Sequence, residues 1–182
     1  MQVPHRRLPH LYAIGQPLFV TFRLYGSLPP GRQFPIEPVT SCDAFLSMDR
    51  LLDGARSGPT YLAMPFIAKI IVDSLEHCSE VDYLLHAWVV MPNHVHLLVI
   101  ARTHVSKFMR RLKGYTARRA NELLFRTGQP FWQEESYDHL VRTSEEFSNI
   151  EAYILNNPVK AGLARTAEEY RYSSGYRGQA GL

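Results

Sequence analysis

His94 and His96 stand two residues apart in the segment His94-Val95-His96-Leu97-Leu98-Val99-Ile100. In an extended strand that spacing sends both imidazoles off one face, with Cα atoms roughly 6.5–7 Å apart. Two rings so placed can converge on one ion, while Val95 turns to the opposite face, toward helix packing. The competing reading is a hydrogen-bonded histidine pair beside a turn. Either way the pair must be partnered or ligated, because the strand is apolar enough to be buried. His86, in the preceding strand, is read as a surface residue that could neighbour the pair.

Metal ligands alone do not make an activity, and the chain has ten tyrosines from which a nucleophile could come. Tyr115, three residues after Leu112, falls on the apolar stripe of its helix, where core packing accounts for it. Tyr153 lies at the edge of an apolar face made by Phe147, Ile150 and Ile154. Asn157 follows it by four residues, about one helical turn on the same side. A phenol and an amide oxygen so arranged could supply a nucleophile and a third metal ligand together. A half-buried tyrosine with a C-capping asparagine is the alternative, and Pro158 makes the helical spacing approximate.

Positive charge is gathered in one stretch. Lys107, Arg110, Arg111, Lys113, Arg118 and Arg119 lie between Val105 and Asn121 with no acid among them. Lys107, Arg111 and Arg118 share one side at helical spacing, a candidate stripe for a nucleic-acid backbone, or else a solvated helix face. Arg6 and Arg7 form a second basic cluster that could reach a groove or a folded hairpin. Trp132 could stack on a base or anchor the core.

These residues need a frame. Leu18 to Leu24 mixes β-branched and aromatic residues and reads as a strand. Gly26 to Pro38 is loop, Ser41 to Arg56 a short helix, and Pro65 opens a helix with a stripe of Ile67, Ile70, Ile71, Leu75 and Cys78. Strands follow at Val81 to Val90 and His94 to Ala101, joined by a Pro92-Asn93 turn. A helix over Ser106 to Phe125 places Phe108, Met109, Leu112 and Leu123 toward the core, and Glu135 to Val141 is an edge strand. Thr143-Ser144-Glu145-Glu146 is a capping box for a helix that Asn157-Pro158 closes. This order fits an α+β fold: a ferredoxin-like antiparallel sheet with helices packed on one face. Residues 1–165 make the single domain and 166–182 a C-terminal tail, polar and loosely ordered at its end.

Composition sets the outer bounds. The 182 residues are 46% hydrophobic and 20% charged, which suits one packed domain and excludes global disorder. Net charge is only +3, so any nucleic-acid surface must come from how the charge is distributed. Two cysteines exclude a disulfide framework and fit a reducing compartment. The apolar window Tyr83 to Ile100 is broken by Met91-Pro92-Asn93-His94, so it reads as two strands rather than a membrane span. The expected setting is the cytoplasm, at the nucleoid if the source is bacterial.

The run Ala87-Trp88-Val89-Val90-Met91-Pro92-Asn93-His94-Val95-His96-Leu97-Leu98 resembles the His-hydrophobic-His (HUH) strand of the single-tyrosine transposases. Phe131-Trp132-Gln133-Glu134, with Tyr153-Ile154-Leu155-Asn156-Asn157-Pro158-Val159-Lys160-Ala161-Gly162, resembles the REP-associated members in particular. The two motifs stand in the family's order, and the likeness runs from the first strand to about Gly162.

That resemblance implies an HUH-endonuclease fold and a metal-dependent single-stranded DNA endonuclease and strand transferase. It implies His94 and His96 as ligands of Mg²⁺ or Mn²⁺, Tyr153 as nucleophile, and Asn157 as the polar residue completing the metal site. The implied partner is single-stranded DNA with hairpin-forming repeats, handled by a monomer or a homodimer. Two other readings keep the fold: a nucleic-acid-binding module that cuts nothing, and a metal-dependent hydrolase whose attacking group is water.

Overall fold

The computed structural model describes residues 14–28, 52, 58–79 and 81–178. Arg6, Arg7 and, Leu52 apart, the helix expected over Ser41 to Arg56 lie outside the described residues. The elements run β1 (Pro17–Arg23), α1 (Pro65–Ser79), β2 (Tyr83–Val90), β3 (His94–Ala101), α2 (Val105–Leu123), β4 (Tyr137–Leu140) and α3 (Ser144–Lys160). The strands form one sheet in the order β2-β3-β1-β4, every neighbouring pair antiparallel. This is the βαββαβ arrangement expected of a ferredoxin-like α+β fold, with α3 added at its end.

Strand alternation divides the core into two layers. Leu18, Val20 and Phe22 of β1, with Val95, Leu97 and Val99 of β3, face Ile67, Ile71 and Leu75 of α1 and Phe108 and Leu112 of α2. The other face carries Phe19 of β1, Ala87 and Val89 of β2 and Leu98 of β3, and it is covered by Ile154 of α3. The expectation that all helices pack on one face is therefore corrected: α3 lies opposite α1 and α2. Its apolar residues are too few to share the first layer, but Ile154 with Phe147 and Ile150 closes the second.

Helix α2 buries Phe108, Met109, Leu112, Thr116 and Ala120. The four-residue repeat from 108 to 120 turns Tyr115 and Leu123 outward, where they are 47% and 46% exposed. The core stripe expected from the sequence therefore loses both residues. Thr116 takes the inner position because it serves Trp132, whose Nε1 donates to its Oγ1 at 2.9 Å. Trp132 also meets Phe22 and Phe131 with ring centroids 4.8 and 4.9 Å apart. It is a core anchor and does not offer a face for a base.

Helix α3 starts at Thr143, whose Oγ1 accepts from the Glu146 amide at 3.0 Å. Glu146 returns its carboxylate to the Arg142 amide at 2.7 Å and to His139 of β4 at 2.6 Å, pinning the helix start to the sheet. The helix does not close at Asn157-Pro158 as expected but continues through Pro158 to Lys160. Proline removes one amide donor, and the chain still makes the Ala161-to-Asn157 and Leu163-to-Pro158 backbone bonds.

The segment read as a tail is structured as far as residue 178. The Val90 amide donates to the Tyr172 carbonyl at 2.8 Å, the Ser174 amide donates to the Trp88 carbonyl at 2.9 Å, and the Tyr170 hydroxyl donates to the Val90 carbonyl at 2.9 Å. These bonds cover the outer edge of β2, which would otherwise be open to pairing. Among the described residues no helix is long and apolar enough to cross a membrane.

Trp132→Ala should lower stability by about 3–5 kcal/mol, the range for emptying an aromatic core site. Urea unfolding of the two proteins measures it, and a loss below about 1 kcal/mol would contradict a core role.

Candidate active site

β3 delivers His94 and His96 to the sheet face that α3 covers, and both rings are fully buried. Across the sheet, Arg23 pairs with His94 and Thr21 with His96. Each outer ring nitrogen is held by an oxygen. His94 Nδ1 lies 2.6 Å from Asn93 Oδ1, and the Asn93 amide nitrogen donates to the Leu52 carbonyl at 2.9 Å. That second bond fixes which end of the amide meets His94, so His94 Nδ1 is the donor. His96 Nδ1 lies 2.7 Å from Thr21 Oγ1.

The inner nitrogens then converge, with His94 Nε2 3.0 Å from His96 Nε2. With the His94 proton on Nδ1, its Nε2 presents a lone pair. The contact is complete with one shared proton or with one cation between the rings. Adjacent ligands of an octahedral ion with bonds of about 2.1 Å lie about 3.0 Å apart. The pair therefore fits a divalent ion without moving.

Helix α3 brings the remaining groups. Asn157 is fully buried, with its Nδ2 3.4 Å from His96 Nε2. One turn earlier, the Tyr153 ring stands edge-on to His96 at 5.8 Å and to Phe19 at 6.3 Å. The Lys160 ammonium lies over the Tyr153 ring, 4.7 Å from its centre. Because α3 stays helical through Pro158, the spacing of Tyr153 and Asn157 is a true helical turn and not an approximate one. Among the described residues no group of three or more His, Cys, Asp or Glu side chains could hold a metal. The donor set is two imidazoles and, with the side-chain amide turned so that Oδ1 replaces the Nδ2 now nearest His96, Asn157; it leaves coordination positions for water and phosphate oxygens.

Tyr115 is not part of this site; it lies on α2, with Arg118 5.9 Å over its ring. His86 is also apart, packed edge-on against Phe147 at 5.0 Å. Thr21, Asn93 and Lys160 escaped the sequence reading. Thr21 had a signal, as a hydroxyl in the middle of Leu18-Phe19-Val20-Thr21-Phe22, on the alternation that faces the histidines.

The basic residues of α2 are not brought to this face, since the sheet lies between. Arg111 is bound to the buried Asp82 at the start of β2. Lys113 donates to the Gln133 and Glu134 carbonyls at 2.6 and 2.8 Å, and Arg119 pairs with Glu122 at 2.6 Å. Lys107, Arg110 and Arg118 stay exposed with no ion pair to a described residue. Three of the six basic residues thus serve partners within the protein, Arg111 alone among those of the expected stripe.

Residues 68–157 match the family model described as transposase IS200 like, a span that starts in α1 and ends on Asn157. Over that span, just under half of the chain, the sequence is similar to an IS200-like transposase domain. A candidate REP-associated tyrosine transposase of Haemophilus influenzae is 25% identical over 112 residues, covering 55% of this chain and 63% of that protein. The match thus spans less than two thirds of that relative's length. A solved structure of a REP-associated tyrosine transposase bound to a REP hairpin is 18% identical. It covers 95% of this chain and 82% of its own, with a TM-score of 0.59, so the two chains share a fold.

Burial pushes the Lys113 ammonium down to about 8 from 10.5, against the smaller pull of Glu134 and Glu135. Between those values the unfolded chain binds more protons than the folded one at Lys113, so this residue makes stability rise with pH there. Urea midpoints from pH 7 to 10 should rise less steeply in Lys113→Met than in the parent. Equal slopes would place Lys113 in solvent, available to DNA.

Proposed function

We propose that this protein is a metal-dependent single-stranded DNA endonuclease and strand transferase, with Tyr153 as its nucleophile. The observation that carries the reading is convergence: α3 sets Asn157 3.4 Å from His96 Nε2 and the Tyr153 ring 5.8 Å from the same imidazole. The similarity to an IS200-like domain and the hairpin-bound structure of shared fold support DNA as the substrate, with a hairpin-forming single strand as the form engaged.

His94, His96 and the Asn157 amide would hold Mg²⁺ or Mn²⁺. When bound, such an ion withdraws charge from a scissile phosphate and fixes its orientation. The Tyr153 oxygen attacks phosphorus in line with the departing 3′ oxygen. The phenol gives its proton to solvent, a bond forms from Tyr153 oxygen to phosphorus, the bond to the 3′ oxygen breaks, and the departing 3′ oxygen takes a proton from water. The products are a 5′-phosphotyrosine and a free 3′-hydroxyl. An ordinary phenol is scarcely ionised at neutral pH, so the charge near Tyr153 matters, and Lys160 supplies a cation at its ring. The phosphotyrosine keeps the phosphodiester energy, so a second 3′-hydroxyl can displace Tyr153 and rejoin the strand without ATP. Thr21 and Asn93 act through the histidines, holding each ring so that its Nε2 points inward.

Labelled single-stranded hairpins incubated with protein and Mn²⁺ should yield a covalent adduct on denaturing gels. Tyr153→Phe should reduce the adduct to background, chelator should abolish it, and Tyr115→Phe should retain it. Metal-dependent cleavage without an adduct would assign the attack to water, and hairpin binding without cleavage would leave a binding module. Thr21→Val, which keeps the shape but drops the hydroxyl, should weaken Mn²⁺ binding by about 10-fold in calorimetry. Unchanged affinity would remove Thr21 from the account.

A further inference from the structure

The exposed cations of α2 lie across the sheet from Tyr153, so a strand that reaches the phenol must meet another surface on the way. On the outward side of α3, Asn149, Ala152, Tyr153, Asn156, Val159 and Lys160 line an open depression of about 440 Å³. Their spacing puts them along one side of the helix. The depression is shallow and open, a surface against which a nucleotide can rest rather than a cleft that encloses one.

The lining carries chemistry as well as space. No acid is among the six residues, and Lys160 is exposed at the rim with its ammonium over the phenol ring. Asn156 spends its amide nitrogen on the Ala152 carbonyl at 2.9 Å, which leaves its Oδ1 as an acceptor. Asn149 and Asn156 are two turns apart, and asparagine amides match the donor and acceptor edges of bases. Ala152, Val159 and the edge of the phenol provide an apolar floor of the kind on which bases rest. Whatever binds there touches the ring of Tyr153, whose hydroxyl oxygen is itself buried.

We infer that this depression is a subsite for one unpaired nucleotide flanking the scissile phosphate. Lys160 meets its phosphate, and Asn149 and Asn156 meet its base. This rests on Tyr153 as the nucleophile, since it is the phenol's position on the rim that ties the depression to the reaction. A second copy of the chain is the rival occupant, but an amide and lysine lining around Ala152 offers few apolar side chains for helix packing.

The test is a binding measurement on the full chain with chelator present, so that no cleavage occurs. Fluorescence anisotropy compares a blunt DNA hairpin with the same hairpin bearing single-stranded flanks. Wild type should prefer the flanked form. Lys160→Met should weaken the flanked form about 10-fold and lower the slope of log K against log salt by about 0.7, as loss of one single-strand phosphate contact requires. Lys160→Arg should restore both. Asn149→Ala with Asn156→Ala should flatten the preference among flank bases. The inference is overturned if wild type does not prefer the flanked form, or if Lys160→Met weakens both forms equally or neither. It is also overturned if these variants change the sedimentation of the protein, which would give the face to a second copy. Failure of adduct formation is a separate result, because nothing in this comparison depends on cleavage.

Discussion

Two buried imidazole nitrogens 3.0 Å apart cannot both keep bare lone pairs. A proton or a cation must sit between them, and the rest of the architecture is arranged around that requirement. Asn93, locked by its bond to Leu52, commits the His94 proton to the outer nitrogen. Thr21 holds the His96 ring from the neighbouring strand, with a hydroxyl that donates to Nδ1 when a proton lies between the rings and accepts from it when a cation does. A donor pair this constrained loses little freedom when it takes an ion, which is how a buried polar cluster is made useful rather than merely costly.

The sheet makes the arrangement possible by keeping its two faces distinct. Val95 and Leu97 enter the layer with α1 and α2, while His94 and His96 enter the layer under α3. Burying Ile154 contributes about 1.5–3 kcal/mol to holding α3 in place, and the same helix carries Tyr153 and Asn157 beside it. The Glu146 contacts with His139 and the Arg142 amide fix the helix start, and uninterrupted turns through Pro158 fix its end. A one-residue change of register in β3 would send both histidines into the other layer.

Much of this was legible from the sequence because it rests on short periods. Alternation placed His94 and His96 on one face, and the four-residue step tied Tyr153 to Asn157. The capping box at Thr143 to Glu146 gave the start of α3 for the same reason. What escaped depended on long-range partners. Tyr115 has an apolar neighbour at the right spacing, yet Thr116 occupies the inner position because Trp132 needs a hydrogen-bond acceptor 16 residues away. Lys113 and Arg111 looked like surface cations until a loop and Asp82 claimed them. Proline after Asn157 signalled a helix end, but tertiary packing of Asn157 and Pro158, both buried, carries the helix on.

The central claim is that the histidine pair binds a divalent ion with Tyr153 beside it. Mn²⁺ titrated into protein carrying ¹³C-labelled tyrosine tests it most directly, because paramagnetic broadening of each ring falls steeply with distance from the ion. The Tyr153 signal, assigned by its absence in Tyr153→Phe, should broaden first. Tyr137, which pairs with Thr21 across the sheet, should broaden after it, and Tyr115 on the far layer after both. Broadening of other tyrosines ahead of Tyr153, or a pattern that survives His94→Ala and His96→Ala, would contradict the account.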